Sequence, residues 1–507
     1  MNTFMNALKQ ESIKTLTENG ATTYKTTCDG LLDLFALGGA YRSRSDDDCI
    51  FLFKKAFDED AIYALKCLFY LRDVRGGQGE RRFFRVVTKW LANYEIEAMK
   101  RNLQYVPEFG RWDDLYTFVN TPLEKAAFKI MKHQLALDVS CKTPSLLAKW
   151  LKSENTSSND SRLLANKTRH YLGMTHKEYR KTLSLLRERI RVVERLMSAN
   201  RWDEIEFDKI PSKAGLIYKN AFARRDIIKE KFKSFAMNED TKVNAKTLYP
   251  YEVVHEAMEF NGGLWSYRTH RSADKDVDRA MINKYWNNLE DYFNGCTFNG
   301  MAVVDTSGSM YGTPMEVAIS LGMYCAERNK GVFANHFYTF SNNPTFTRVE
   351  GYDFVDKVSR MAQADWGGST NVEAVFDDML DIAQKNHCPQ EDIPETLIII
   401  SDMEFNACAI GGPKQRNRWG MSRDNHRADE TLFETIEQRW NAAGYKMPNL
   451  VFWNVDARQD NIPMKKSGHV SFVSGFSATL FEQILKGVTA EQLMFDKLNS
   501  ERYACIH

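Results

Sequence analysis

No run of apolar residues in this 507-residue chain approaches the roughly 18 that a membrane-spanning helix requires. Runs such as 397–400 are closed off within a few residues by Glu395 and Asp402. The nine cysteines are scattered, odd in number and never spaced C-x-x-C. That pattern argues against a zinc site or a disulfide frame and for free thiols in a reducing compartment. Proline-rich, glycine-rich and low-complexity tracts are missing, which excludes long disordered arms. The opening MNTFMNALKQESIK has neither an apolar stretch nor a small-residue cleavage site. The expectation is a cytoplasmic protein, off the membrane.

Strong net charge is lacking too, at +1, but the total conceals a division. Residues 1–295 carry 49 Lys and Arg against 40 Asp and Glu, whereas residues 296–507 carry 19 against 27. The basic excess lies in 51–250, with 39 against 25, so a basic module is joined to an acidic one.

Residues 51 to about 290 read as successive helices, with breaks at 76–79, 107–110, Pro122, 153–160 and Pro211. The spacing predicts one helix over 176–197, burying Tyr179, Leu183, Leu186, Ile190, Val193 and Met197. Arg180, Arg187, Arg191 and Arg195 would then form a basic ridge on its other side. Stacked helix pairs of this kind suggest an α-solenoid, a HEAT-like ring or arc. After Cys296 the pattern changes to strands at 301–304, 332–340, 396–400, 450–455 and 470–473. Helices at about 314–329, 371–387, 426–443 and 478–486 separate them. The fold class is therefore α plus α/β: a helical-repeat domain over 1–295, then a Rossmann-like domain over 296–507 with a parallel-rich sheet.

MAVVDTSGSM places Asp305, Ser307 and Ser309 directly after an apolar strand, at the carboxyl edge where open α/β sheets bind ligands. A D-x-S-x-S loop offers one carboxylate and two hydroxyls from alternate residues, oxygens suited to a hard divalent cation such as Mg2+, or Mn2+ or Ca2+. Thr370, in WGGSTN, and Asp402, in LIIISDMEF, supply further oxygens from two other loops. An aspartic-protease reading fails because no second D-[TS]-G supplies the partner carboxylate. A phosphatase would present D-x-D, and position 307 is serine. A hydroxyl-rich helix cap needs no metal, but it leaves Thr370 and Asp402 unexplained.

Catalytic patterns are otherwise missing. His255-Glu256 lacks the second histidine of H-E-x-x-H, and RGGQGERR at 75–82 lacks the G-K-[ST] of a P-loop. That turn reads as an interhelical connection or as a basic loop contacting phosphate. Glu404 is the carboxylate beside the metal-type loop that a hydrolytic reading would enlist as a base. A non-enzymatic protein is expected.

The set Asp305, Ser307, Ser309, Thr370 and Asp402 resembles the metal-ion-dependent adhesion site of von Willebrand factor A domains. The resemblance implies direct ligation by Ser307, Ser309 and Thr370, water-mediated roles for Asp305 and Asp402, and an open position for a partner's carboxylate. FYLRDVRGGQGERRFF (69–84), VPEFGRWDDLY (106–116), RWDEIEFDKIPSKAGLIYKNAFARRD (201–226) and NKYWNNLEDY (283–292) resemble the family known as domain of unknown function 2828. That family looks like a relative of the TROVE, or Ro autoantigen, proteins, in which a helical ring closed by an A domain binds small structured or single-stranded RNA. The resemblance implies a monomeric RNA-binding protein. Arg72, Arg75, Arg81, Arg82 and the 180–195 ridge are its candidate RNA contacts, and Trp112 and Trp202 its core anchors. The rival is a protein-interaction scaffold without RNA, in which the metal site docks an acidic protein ligand.

Overall fold

The computed structural model describes residues 11–262, 272–340, 343–362, 368–407, 431–465, 468–487 and 489–507. Its first half is helical from Gly30–Leu37 to Lys275–Asn287. Local chemistry sets the helix starts. Ser45 and Asp48 form a reciprocal capping box before Asp46–Glu59, and Asp60 caps Ala61–Arg72 through the N–H groups of Ile62 and Tyr63.

The region 176–197 departs from the single helix that its periodicity predicts. One helix, His176–Arg189, ends at Ile190, Arg191 takes a φ of 47°, and a second helix, Val193–Ser198, follows. Tyr179, Leu183, Leu186 and Val193 are buried as the stripe requires. The apolar period survives the turn although the helix does not, and the four arginines no longer share one helix.

Glycines in the 75–82 turn serve packing. A Cβ on Gly77 would stand 1.9 Å from the Tyr70 carbonyl oxygen, and Gly79, at φ +62°, lies under the Tyr249 hydroxyl. Between them Gln78 is fully buried, donating to the Tyr70 hydroxyl at 2.6 Å and accepting from the Ser477 N–H at 3.3 Å. The turn is a joint between the two halves of the chain.

The second half is built on a six-stranded sheet of β3 (Gly300–Asp305), β4 (His336–Phe340), β5 (Thr345–Arg348), β6 (Thr396–Ser401), β7 (Asn449–Asn454) and β8 (Val470–Ser474). A small hairpin of β1 (Lys14–Leu16) and β2 (Thr22–Tyr24) precedes the helices. The sheet order is β5-β4-β3-β6-β7-β8, parallel except for β5, which runs antiparallel to β4. Every residue of β3, β6 and β8 is buried, as expected of parallel strands covered on both faces. The fourth strand starts at His336 instead of 332; Val332 is 91% exposed, and Asn335 turns at φ 61°. The edge strand β5 and the helices Phe354–Ala362 and Ala490–Leu498 were not expected. Residues 408–430, which include the start of the helix expected at 426–443, lie outside the described residues; the helix is Leu432–Ala442.

The first and last described segments each cross to the other half. The β1–β2 hairpin pairs through Tyr24 with Ile462, and Ser474 Oγ donates to the Phe35 carbonyl at 3.1 Å. In return, Arg502 and Tyr503 hold Asp73, the latter at 3.0 Å. The buried apolar residues form one continuous core across residue 295. No described helix is long and apolar enough to cross a membrane.

Candidate metal centre and basic cleft

From β3 the chain continues to β4 on one side, while β6 pairs with β3 on the other. That reversal puts a crevice beyond the carboxyl ends of β3 and β6. Asp305 ends β3, and Asp402 directly follows β6. Asp305 Oδ1 accepts the Ser307 N–H at 2.9 Å, and Oδ2 accepts the Ser401 hydroxyl at 2.6 Å. The hydroxyls of Ser307 and Ser309 lie 3.1 Å apart. The Thr370 loop joins them: the Gly368 carbonyl accepts the Gly308 N–H at 3.3 Å, and the Thr370 carbonyl accepts the Asn406 N–H at 3.0 Å. All three loops therefore meet at one edge.

Asp305, Ser307, Thr370 and Asp402 are buried, and Ser309 is half-buried. Burial pushes the Asp305 carboxyl above its ordinary range, and the negative charge of Asp402 adds to the rise. Asp402 is raised as well, again chiefly by burial. Its Oδ1 accepts the Glu404 N–H at 3.1 Å, whereas its buried Oδ2 has no hydrogen-bond partner among the described residues. A cation relieves both problems at once, by balancing two desolvated carboxylates and engaging the orphaned oxygen. The residues fit a hard divalent ion. Among the described residues no three His, Cys, Asp or Glu side chains converge, so a cation here depends on hydroxyl oxygens.

Glu404 is fully buried, and burial lifts its carboxyl to about 7. Both its oxygens are engaged, Oε1 by the Asn461 amide at 2.8 Å and Oε2 by the Glu18 N–H at 2.6 Å. It holds loops together and is poorly placed to activate water. Arg458, which the sequence did not single out, reaches the same rim: it donates to the Ser309 carbonyl and lies 3.9 Å from Asp402 Oδ2.

On the helical side a cleft of about 1050 Å³ gathers the predicted Arg72, Arg75, Arg81 and Arg82 with Arg111, Lys149 and Lys213, beside Trp112, Trp150 and Tyr249. These cations differ in availability. Arg72 is 1% exposed and sealed against Asp114 by bonds of 2.7 and 2.9 Å. Arg75 donates to the Glu108 carbonyl at 2.8 Å, and Arg82 pairs with Asp46 at 2.5 Å. Arg111 pairs with Asp113 at 2.8 Å and lies 4.0 Å over the Trp150 ring. Among the described residues the Arg81 side chain makes no hydrogen bond or ion pair. Burial, then repulsion from Arg111 and Arg85, lowers its pKa against the opposing attraction of Asp113 and Asp114. Trp202 is buried in the core, and Trp112, partly buried, packs against the core as expected while also lining the cleft.

The other four arginines are mostly engaged within the fold, and Arg187 and Arg195 lie close enough to repel one another. Arg187 turns inward to the carbonyls of Ala148 and Leu151, each at 2.8 Å, and to Ser153 Oγ at 2.9 Å. Arg195 binds the carbonyl and hydroxyl of Ser184, each at 2.8 Å, and Arg191 pairs with Glu206. Arg180 is exposed and, among the described residues, makes a single 3.3 Å bond to the His176 carbonyl. Arg111 and Lys213, which help to complete the cleft, escaped the sequence reading; they lie 29 and 131 residues beyond Arg82, the last residue of the basic turn, and no spacing rule joins them.

Comparison with known proteins places the chain as follows. Residues 17–161 and 133–294 match the family described as domain of unknown function DUF2828, and residues 299–503 match domain of unknown function DUF7788. An uncharacterized protein of Acanthamoeba polyphaga mimivirus is 32% identical over 515 residues, spanning 92% of this chain and 84% of the relative. The crystal structure of the Deinococcus radiodurans Ro (RSR) protein superposes with a TM-score of 0.47 at 13% identity, covering 94% of this chain and 100% of that one.

Proposed function

This chain belongs to the DUF2828 family, and we propose that it is a non-enzymatic, RNA-binding protein of the TROVE, or Ro-like, kind. Its basic cleft takes single-stranded RNA. Its sheet unit works as a von Willebrand factor A-type domain, with Ser307, Ser309 and Thr370 on a divalent cation, Mg2+ for preference, and Asp305 and Asp402 behind water. The observation that carries the RNA reading is the cleft, where Arg81 makes no hydrogen bond or ion pair among the described residues and stands beside Arg111 stacked on Trp150. Phosphate neutralisation and base stacking call for that combination of cations and half-buried aromatic rings. Lys213 and Lys149 meet Glu252 and Glu194 at 2.5 and 3.8 Å along the same wall. Those partners are exchangeable for phosphates. For the metal, support comes from the switch-point position and the buried Asp402 oxygen that accepts no hydrogen bond among the described residues and has only a 3.9 Å contact with Arg458.

The test is binding of a short single-stranded RNA to the full chain at two salt concentrations, for wild type and Arg81→Glu. Binding that weakens steeply with salt and is lost in the variant supports the reading. Absence of binding by wild type at low salt overturns it in favour of a protein-interaction scaffold.

A further inference from the structure

The turn of the β1–β2 hairpin, residues 17–20, is bound to the rim of the metal-type crevice. Thr17 Oγ1 donates to the Phe405 carbonyl at 2.6 Å, and the Glu18 N–H donates to Glu404 Oε2 at 2.6 Å. The Asn19 side-chain amide donates to the Glu404 carbonyl and, at 3.5 Å, to Thr370 Oγ1. The Ala407 N–H returns to the Asn19 carbonyl at 3.2 Å, and Gly20 bridges Asn406. Two strands of three residues have no stability of their own. This hairpin keeps its place by gripping the two loops that carry Thr370 and Asp402.

Its one acidic side chain is differently held. The Glu18 carboxylate is 48% exposed, and its ion pair is a loose 3.8 Å contact with Arg458. The same guanidinium lies 3.9 Å from the orphaned Asp402 Oδ2 and donates to the Ser309 carbonyl. One arginine therefore spans from Glu18 to the metal-type loop. A contact of that length restrains a carboxylate weakly in a half-exposed setting, so moving it costs little. Its backbone, fixed two residues from Asp402 through Glu404, keeps the carboxylate close by.

We propose that Glu18 is an intrachain ligand of the cation, so that the protein's own N-terminal hairpin takes the coordination position open to a partner's acidic group. The inference rests on the metal reading above. Arg458 acts as the tethered positive charge at the rim until a divalent cation supersedes it, and an external acidic ligand must displace Glu18 to bind.

Mn2+ binding, followed by electron paramagnetic resonance and calorimetry on the full chain, tests this in wild type, Glu18→Gln and Asp305→Asn. The Gln variant keeps the main-chain N–H that anchors the hairpin. Its Mn2+ affinity is expected to fall about tenfold, and added glutarate, a free dicarboxylate, to restore it while leaving wild type unchanged. Equal Mn2+ affinity in wild type and Glu18→Gln, with Asp305→Asn unable to bind, would overturn the Glu18 inference and leave the metal site standing. Failure of wild type to bind Mn2+ would remove the metal reading, and this inference with it.

Discussion

The Ser401 hydroxyl donates to Asp305 Oδ2 at 2.6 Å across the β3–β6 strand pair, which fixes the buried carboxylate before any cation arrives. Fixing it does not neutralise it. Asp305 and Asp402 repel one another out of reach of water, so Asp305→Asn should leave the metal-free protein as stable as wild type or more so. Mn2+ should raise the melting temperature of wild type alone. At a hundred times the dissociation constant the stabilisation is about 2.7 kcal/mol. Equal shifts in both proteins would show that the cation binds elsewhere.

Among the described residues the Arg81 side chain makes no hydrogen bond or ion pair, whereas Arg187 has three acceptors. Arg81→Ala should therefore lower the slope of log affinity for single-stranded RNA against log salt by about 1, with stability unchanged. Arg187→Ala should do the reverse, leaving the slope intact and costing about 1–3 kcal/mol because buried carbonyls lose their donor. A denaturant titration and a salt series on both variants separate the roles.

The contrast between those arginines shows where sequence reading stops. The sheet half was legible because β3 and β6 are continuous apolar runs that place Asp305 and Asp402 at a known edge, and strand period and loop position are local properties. Strand β5, TFTR, is short and mostly exposed, so it carries no apolar signal. The 176–197 segment kept its apolar period through a turn made by one residue of positive φ, Arg191. Side-chain partners are set by the fold: Arg72 meets Asp114 at 42 residues' separation, and Asn19 meets Thr370 at 351. Composition counts all these cations alike, and only packing shows which are spent.

Arg72 is spent most completely. Its guanidinium is sealed against Asp114, which also accepts Arg85 Nε at 2.7 Å and the Arg111 N–H at 2.9 Å. Arg72→Ala should cost about 3–5 kcal/mol, towards the lower end because Arg85 still faces Asp114. Urea unfolding measures this. RNA affinity per folded molecule should hold, which would remove Arg72 from the RNA contacts.

His255 supplies a pH dependence at the joint between the halves. It lies on Pro250–Phe260, and its Nδ1 is 2.8 Å from Glu316 Oε1 on Thr313–Arg328, the helix that follows the metal-type loop. The Glu316 hydrogen bond raises the imidazole's pKa against the opposing effect of burial, and the charges of Glu316, Glu256 and Glu259 add to the rise. The folded state thus favours the protonated ring. Its contribution is complete below the ordinary histidine value of about 6.5 and disappears as pH climbs through the raised value. With the ring 49% exposed, solvent screening should hold the effect below about 1 kcal/mol. Urea midpoints of wild type should therefore fall between pH 6 and 9 relative to those of His255→Gln, whose neutral amide cannot titrate. Parallel profiles for the two proteins would mean that the ion pair does not couple the helical half to the sheet.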